Sequence, residues 1–263
     1  MNNEEILRVA MSQSAIDFNC LVNDFINKGN TVTISKLNGG RKKYYEEPLF
    51  CGFAFYGGGL VATVDERIKD YIESFMGRYS GYRCFDVPQL NLLNKEFNKY
   101  GQCICHMAEY FLPDTNRPVH INDKVKVEIL TEKEIPSLFN DDRFHMALGY
   151  NNERDKRDVI AAVGYMNGKI AGVAGASNDS DTMWQMGIDV IPEYRGLGIG
   201  TTLTKKLTDE ILRLGIVPFY GTAWSNIASK NNALKSGYKS AWIEMAAKDV
   251  EFALGMKGEG HPL

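Results

Sequence analysis

The sequence predicts a mixed α/β (α+β) fold built on a central sheet with helices laid against it. Three observations carry this. Residues 183–191 place Trp184, Met186, Ile188 and Val190 on alternate positions, the period of a half-buried strand. The run that follows places Leu203, Leu207, Ile211 and Leu214 at spacings of four, four and three, one apolar face of a helix. Residues 159–166 and 169–176 are apolar runs flanking Asn167-Gly168, a strong hairpin signal. Strands outnumber helices and the two kinds are mixed, as around a single sheet.

From the N-terminus, residues 4–26 are helical in pattern. Residues 49–56 and 60–64 read as strands joined by Gly57-Gly58-Gly59, a triple glycine expected to be a loop. Residues 65–76, carrying Ile68, Tyr71, Ile72, Phe75 and Met76, read as a helix, and residues 91–100 as another. Arg41-Lys42-Lys43 is expected at a solvated loop tip. Pro113, Asp114, Asn116 and Pro118 mark a linker, dividing the chain into an N-terminal α+β domain, 1–123, and a second domain, 124–263. No internal repeat is visible.

The second domain opens with a strand over 124–130, where Val125, Val127 and Ile129 alternate. Thr131 with Glu134 forms a capping box that starts a helix to about Phe139. A second helix follows over 143–150, then the hairpin and a polar turn over 177–181. Pro192, which has no amide to donate to a ladder, closes strand 183–191. Helix 200–214 is stopped by Gly215. Strand 217–224, helix 227–236 and a last strand near 240–247 complete the domain.

Composition excludes several classes. At 263 residues and 44% hydrophobic the chain can bury a sizeable core. A net charge of −3 argues against nucleic-acid binding. No apolar run is long enough to span a bilayer, and the N-terminal residues lack the basic start and apolar core of a signal peptide, so no membrane partner and a cytoplasmic location are expected. Five cysteines in a chain this long do not suggest a disulfide framework. Cys103-Ile104-Cys105-His106 has no second cluster to complete a zinc site, so no metal is expected and the cysteines read as buried thiols.

The chemistry concentrates in residues 188–201. An arginine, Arg195, and three alternate glycines, Gly196, Gly198 and Gly200, stand between a strand and a helix. Glycines expose backbone N–H groups to a ligand, and the helix behind turns its positive end toward it, a description of a phosphate cradle. A nucleotide P-loop is excluded, because Thr201-Thr202 and not Lys-Ser/Thr follow Gly200. The dinucleotide fingerprint also fails, because its third glycine falls on Thr201.

The segment Val190-x-Pro192-x-x-Arg195-Gly196-x-Gly198-Ile199-Gly200 resembles the acyl-CoA signature of the GNAT superfamily of N-acetyltransferases. A second family motif lies downstream: strand 219–224, Asn226, helix 227–236 and the pair Gly237-Tyr238. The resemblance implies a GNAT fold over 124–250 and acetyl-CoA as cosubstrate. It implies that Arg195, Gly196, Leu197, Gly198, Ile199, Gly200 and Thr201 hold the pyrophosphate. It further implies that Ile188 and Val190 pair with the pantetheine arm, and that Asn226 and Ser229 lie on the cofactor side. The helix–hairpin–helix order of the N-terminal region fits a degenerate GNAT-like half, a domain that packs or binds the acceptor.

Under this resemblance an amine attacks the thioester of acetyl-CoA in a ternary complex. An alkylamine with a pKa near ~10.4 arrives protonated and must lose a proton. Asp189 and Gln185 share one side-chain parity on the cofactor strand, opposite Ile188 and Val190, and are the candidates for that task. The backbone N–H of Val190 is the candidate oxyanion donor. Many GNAT enzymes have a tyrosine acid seven residues after the asparagine; here that residue is Ala233. His145, a lone histidine in an expected helix, reads as structural, and Glu244 on the last strand is a base candidate with no motif around it. The expected activity is acetyl transfer to a primary amine of a small molecule, by a monomer or homodimer. The alternatives are a non-catalytic acyl-CoA-binding or regulatory module and a protein N-acetyltransferase.

Overall fold

In the computed structural model, residues 1–139, 141–149 and 157–255 are described. The helices are α1 Asn3–Asp17, α2 Val22–Ile26, α3 Lys69–Met76, α4 Val87–Phe97, α5 Ile199–Arg213, α6 Ile227–Lys235 and α7 Val250–Gly255. The strands are β1 Asn30–Ile34, β2 Cys51–Phe55, β3 Leu60–Val64, β4 Gln102–Pro113, β5 Lys126–Thr131, β6 Asp158–Met166, β7 Lys169–Ser177, β8 Met183–Val190, β9 Val217–Ala223 and β10 Tyr238–Asp249. Mixed α/β architecture is thus borne out. Among the described residues, no helix is long and apolar enough to cross a membrane.

The compact units do not follow a cut at 123/124. One unit comprises Met1–Ala10 and Tyr110–Ser240, the other Met11–Glu109 and Ala241–Leu263. Pro113 lies inside β4 and is not in a linker. Three further elements escaped the sequence: β1, α7, and β4, which takes up the cysteine-rich stretch.

In the unit that holds the glycine-rich segment, β5, β6, β7 and β8 run antiparallel in succession. β9 is parallel to β8, paired only from Met183↔Val217 to Gln185↔Phe219. α5 packs on this sheet: Leu203, Leu207 and Ile211 are fully buried with Ala162, Ala174, Met186 and Tyr220. The opposite face is covered by the segment after β5, where Ile135, Phe144, Ala147 and Leu148 pack on Ala161, Val163 and Val173. Half of the expected capping box forms: the Thr131 N–H and hydroxyl both donate to the Glu134 carboxylate, at 2.9 and 2.7 Å, while the Glu134 N–H goes to the Thr131 carbonyl, and the segment opens only a 3-10 turn, Ile135–Leu138. The helix expected over 143–150 is instead a 3-10 turn, Asp142–Phe144, followed by irregular turns through 148. Pro136 and the burial of Phe144, Ala147 and Leu148 hold this stretch as tight turns.

In the other unit, β1 is parallel to β3, β3 antiparallel to β2, and β2 antiparallel to β10. α3 and α4 supply Ile72, Phe75, Leu93 and Phe97 to its core. The expected helix over 4–26 breaks at Asn19, which has φ 51°. Lys42 is not a solvated loop tip. Its side chain is fully buried, with Nζ 3.3 Å from Asp17 and 3.3 Å from Glu244. The Glu244 carboxylate also accepts the Trp242 indole N–H at 2.7 Å. A buried ammonium is tolerable when carboxylates face it, and here two do.

Candidate coenzyme A site

β8 carries its hydrogen bonds to β7 through odd-numbered residues near its end, since the Ile191 N–H donates to Ala171 O at 3.0 Å. In a ladder of this kind the amide and carbonyl of one residue point to one side and those of the next to the other. Ile188 and Val190 therefore present their backbone groups toward the β9 side. β9 has left by then, because its pairing ends at Gln185↔Phe219 while β8 continues to Val190. The result is a wedge between two strands, with one strand's backbone groups open to an extended ligand. Nε of Arg195 reaches one of them, Val190 O, at 3.1 Å.

Beyond Val190 the chain makes a 3-10 turn, Pro192–Tyr194, and enters α5 through Gly198. Gly198 is the N-cap with φ 76°, and Gly196 has φ 80°. Both lie in the left-handed region, where other residues are strained. Gly200 serves a different purpose. A Cβ there would stand 2.8 Å from Asn232 Oδ1, so this glycine lets α6 close on α5. The first intrahelical amide bond of α5 runs from Thr202 to Gly198 O, at 3.0 Å. The amides of Gly198, Ile199, Gly200 and Thr201 are thereby left at the positive helix end without intrahelical acceptors, the arrangement that holds phosphate. Leu197 is exposed beside them.

The loop is braced by a residue the sequence did not single out. Asn122 donates through Nδ2 to Leu197 O at 2.8 Å, and its own amide donates to Thr202 Oγ1 at 2.9 Å. Asn122 lies 75 and 80 positions from these partners, with no local signature.

Downstream, Asn226 caps α6 by accepting the Ser229 N–H at 3.1 Å. Ser229 Oγ donates to the Tyr220 hydroxyl at 3.0 Å. Tyr220 is the first β9 residue after pairing with β8 ends, and burial holds its hydroxyl above the usual tyrosine pKa. Ala233 is fully buried in the same core, with no side chain to offer an acid. Tyr238, also buried, bonds Thr208 Oγ1 at 2.7 Å and is a packing residue.

Of the base candidates, Gln185 sits at the last β8 position paired with β9. Asp189 Oδ2 accepts two backbone amides, those of Met146 and Ala147, each at 2.8 Å. Burial raises its pKa, against the lowering effect of those two bonds. Glu244 belongs to the buried Lys42 cluster in the other unit. Among the described residues, no group of three His, Cys, Asp or Glu side chains could hold a metal. Burial pushes the Cys84 thiol up to about 11 and the Cys20 thiol up to about 12.

Comparison with known proteins decides the family of this domain. Residues 126–238 match the model of the acetyltransferase (GNAT) family. The C-terminal half of the chain carries a GNAT acetyltransferase domain. No curated protein matches the sequence. Three similar solved structures are a GCN5-related N-acetyltransferase-like protein from Streptococcus suis, a putative GNAT acetyltransferase from Novosphingobium aromaticivorans, and a tandem GNAT protein from the clavulanic acid biosynthesis pathway. The first is 13% identical, covering 62% of this chain and 69% of that one, with TM-score 0.43. The second is 16% identical, covering 56% and 66%, with TM-score 0.39. The third is 12% identical, covering 56% and 54%, with TM-score 0.37. At such scores they bear on neither acceptor nor mechanism.

Proposed function

We propose that the protein transfers the acetyl group of acetyl-CoA to a primary amine of a small molecule, by direct attack in a ternary complex. The observation that carries this is the wedge between β8 and β9, which leaves the Ile188 backbone groups and the Val190 N–H open next to the bare amide end of α5. An extended pantetheine arm matches the strand edge, and a pyrophosphate matches the helix end and Arg195. NAD and ATP lack the extended amide-bearing arm that the edge would bind.

Within this reading the Val190 N–H stabilises the tetrahedral oxyanion, since it points into the wedge and needs no reorganisation as charge develops. The departing thiolate is a fair leaving group, with a reference pKa near ~8.5. Tyr220 supplies its proton. That hydroxyl stays protonated through burial and lies against Ser229 at the start of α6. Ile188, Arg195, Gly196, Leu197, Gly198, Ile199, Gly200 and Thr201 hold the cofactor, while Asn226 and Ser229 support it by ordering the start of α6 and the Tyr220 hydroxyl.

A second reading, a binding module without turnover, draws on Ala233. The test has two steps. Thermal unfolding with acetyl-CoA, coenzyme A, NAD and ATP should show stabilisation by the first two alone, about 2.7 kcal/mol at a ligand concentration ~100-fold above Kd. Thiol release across a panel of primary amines should then exceed the rate without amine. Stabilisation without amine-dependent release on any member favours the binding module. No response to either coenzyme A species removes both readings.

A further inference from the structure

The turn following the first strand of the acetyltransferase domain is fastened to the cofactor strand by unusually specific means. Two glycines make room for it. A Cβ at Gly175 on β7 would overlap Ala147 O, and a Cβ at Gly187 on β8 would overlap Met146 O. Asp189, two residues along β8 from Gly187, then takes the Met146 and Ala147 amides on one carboxylate oxygen. Phe144, Ala147 and Leu148 anchor the same turn in the core beneath. Backbone-to-carboxylate bonds fix the turn's position without regard to its side chains, so the turn is held while those side chains are left outward. His145 and Met146 are exposed.

His145 is also held in one tautomer. Its Nδ1 lies 2.8 Å from Asp142 O. A carbonyl oxygen only accepts, so Nδ1 carries the hydrogen and the lone pair of the neutral ring is on Nε2. An imidazole oriented through Nδ1–H by a fixed acceptor is the arrangement of a general base. The neighbouring residue's amide is bonded to Asp189, which adjoins Val190. The charged groups around the turn are Asp189 on β8, Arg195 past its end, Glu193 in the intervening 3-10 turn, and Asp141, Asp142 and Arg143 on the turn itself.

We propose that His145 accepts the proton of the attacking amine through Nε2, and that Asp189 is its positioning residue, holding the turn against β8. The proposal rests on the acetyltransferase reading. An N–H bond of the substrate ammonium breaks, its proton passes to Nε2, and the electron pair left on nitrogen attacks the thioester carbon. The C–S bond opens as the tetrahedral adduct collapses, nitrogen's second proton is lost to solvent, and the thiolate takes its proton from Tyr220. Asp189 thereby changes role from the sequence expectation: its carboxylate serves the turn and takes no proton from substrate.

The test uses the full-length chain and the best amine from the panel. His145→Gln should lower kcat by about 100-fold, remove the acid limb of the kcat/KM profile, and leave acetyl-CoA affinity by calorimetry unchanged. Imidazole should restore part of the activity of His145→Gly. Asp189→Asn keeps an accepting oxygen and should retain the acid limb while raising the amine KM several-fold. Asp189→Ala should expose the Met146 and Ala147 amides to hydrogen exchange, a readout that needs no turnover. The proposal is overturned if His145→Gln keeps the wild-type rate and profile. It is overturned equally if Asp189→Asn abolishes the acid limb that His145→Gln retains, which would make Asp189 the base, or if those amides exchange freely in the wild type. Wild-type turnover with an inert His145→Gln change defeats this proposal alone. Absence of acetyl-CoA binding by the wild type defeats the acetyltransferase reading beneath it.

Discussion

Two glycine-rich turns follow apolar strands in this chain, and they do different work. Gly58 and Gly59, between β2 and β3, are glycines because there is no room. A Cβ on Gly58 would collide with Phe25 O, and one on Gly59 with Asp24 O. Their turn is filled by the backbone of α2. Gly196 and Gly198 have positive φ, and a Cβ on Gly196 would meet nothing within 4 Å. That turn is shaped by conformation and left open. The two units treat polar groups in the same contrasting way. One neutralises Lys42 internally against Asp17 and Glu244. The other leaves the amides at the start of α5 without intrahelical acceptors and the end of β8 unpaired by β9. Glycine content does not distinguish a binding turn from a packing turn; what lies above the missing side chain does.

The largest effect should come from the internally neutralised cluster. Lys42→Met leaves two buried carboxylates facing each other and should cost about 3–5 kcal/mol in chemical denaturation; a loss under 1 kcal/mol would mean that the cluster is hydrated. His106, in the same unit, has its pKa lowered to about 4, chiefly by burial. With the folded value below the unfolded one, its contribution is complete above the unfolded pKa of about 6.5 and is lost as pH falls toward 4. His106→Asn should therefore flatten the acid side of the stability curve by about 3 kcal/mol across that window.

Next come the glycines. Gly59→Ala should destabilise by about 1–3 kcal/mol through overpacking, with coenzyme A affinity unchanged. Gly198→Val should do the reverse. A β-branched residue at φ 76° is strained by about 1–2 kcal/mol, and distortion of the cradle should weaken coenzyme A by at least about tenfold, read by calorimetry. Equal effects of both changes on affinity would erase the distinction between the two turns. Arg195→Ala should weaken the cofactor by about tenfold, with the loss shrinking as salt rises. The smallest effect is expected from Asn122→Ala, about 1 kcal/mol of loop ordering seen as a several-fold change in Kd.

Much of the second domain was legible because its signals are local. Trp184, Met186, Ile188 and Val190 announce β8 by alternation, Leu203 to Leu214 announce α5 by spacing, and Pro192 with Gly198 mark the boundary between them. The misreadings have a common cause in distant partners. Lys42 sits in a basic triplet that looks solvated, and its carboxylate Glu244 is 202 positions away. Asn122 braces a loop 75 positions downstream. Asp189 was visible as a strand carboxylate, but its two amide donors lie more than forty positions earlier, on a turn that reads as a helix. β4 was missed because its run of Cys, His, Met, Glu and Tyr alternates without contrast in polarity. The wedge itself leaves no mark in the sequence, since it is the absence of pairing between two ordinary strands.

The central claim is that the open edge of β8 and the start of α5 hold coenzyme A together. Amide hydrogen exchange over residues 186–201, with and without coenzyme A, tests it most directly. The account predicts new protection at Ile188, Val190 and the amides from Gly198 to Thr201, and no comparable change at Gly57 to Gly59. Binding of coenzyme A with those amides unprotected would contradict it.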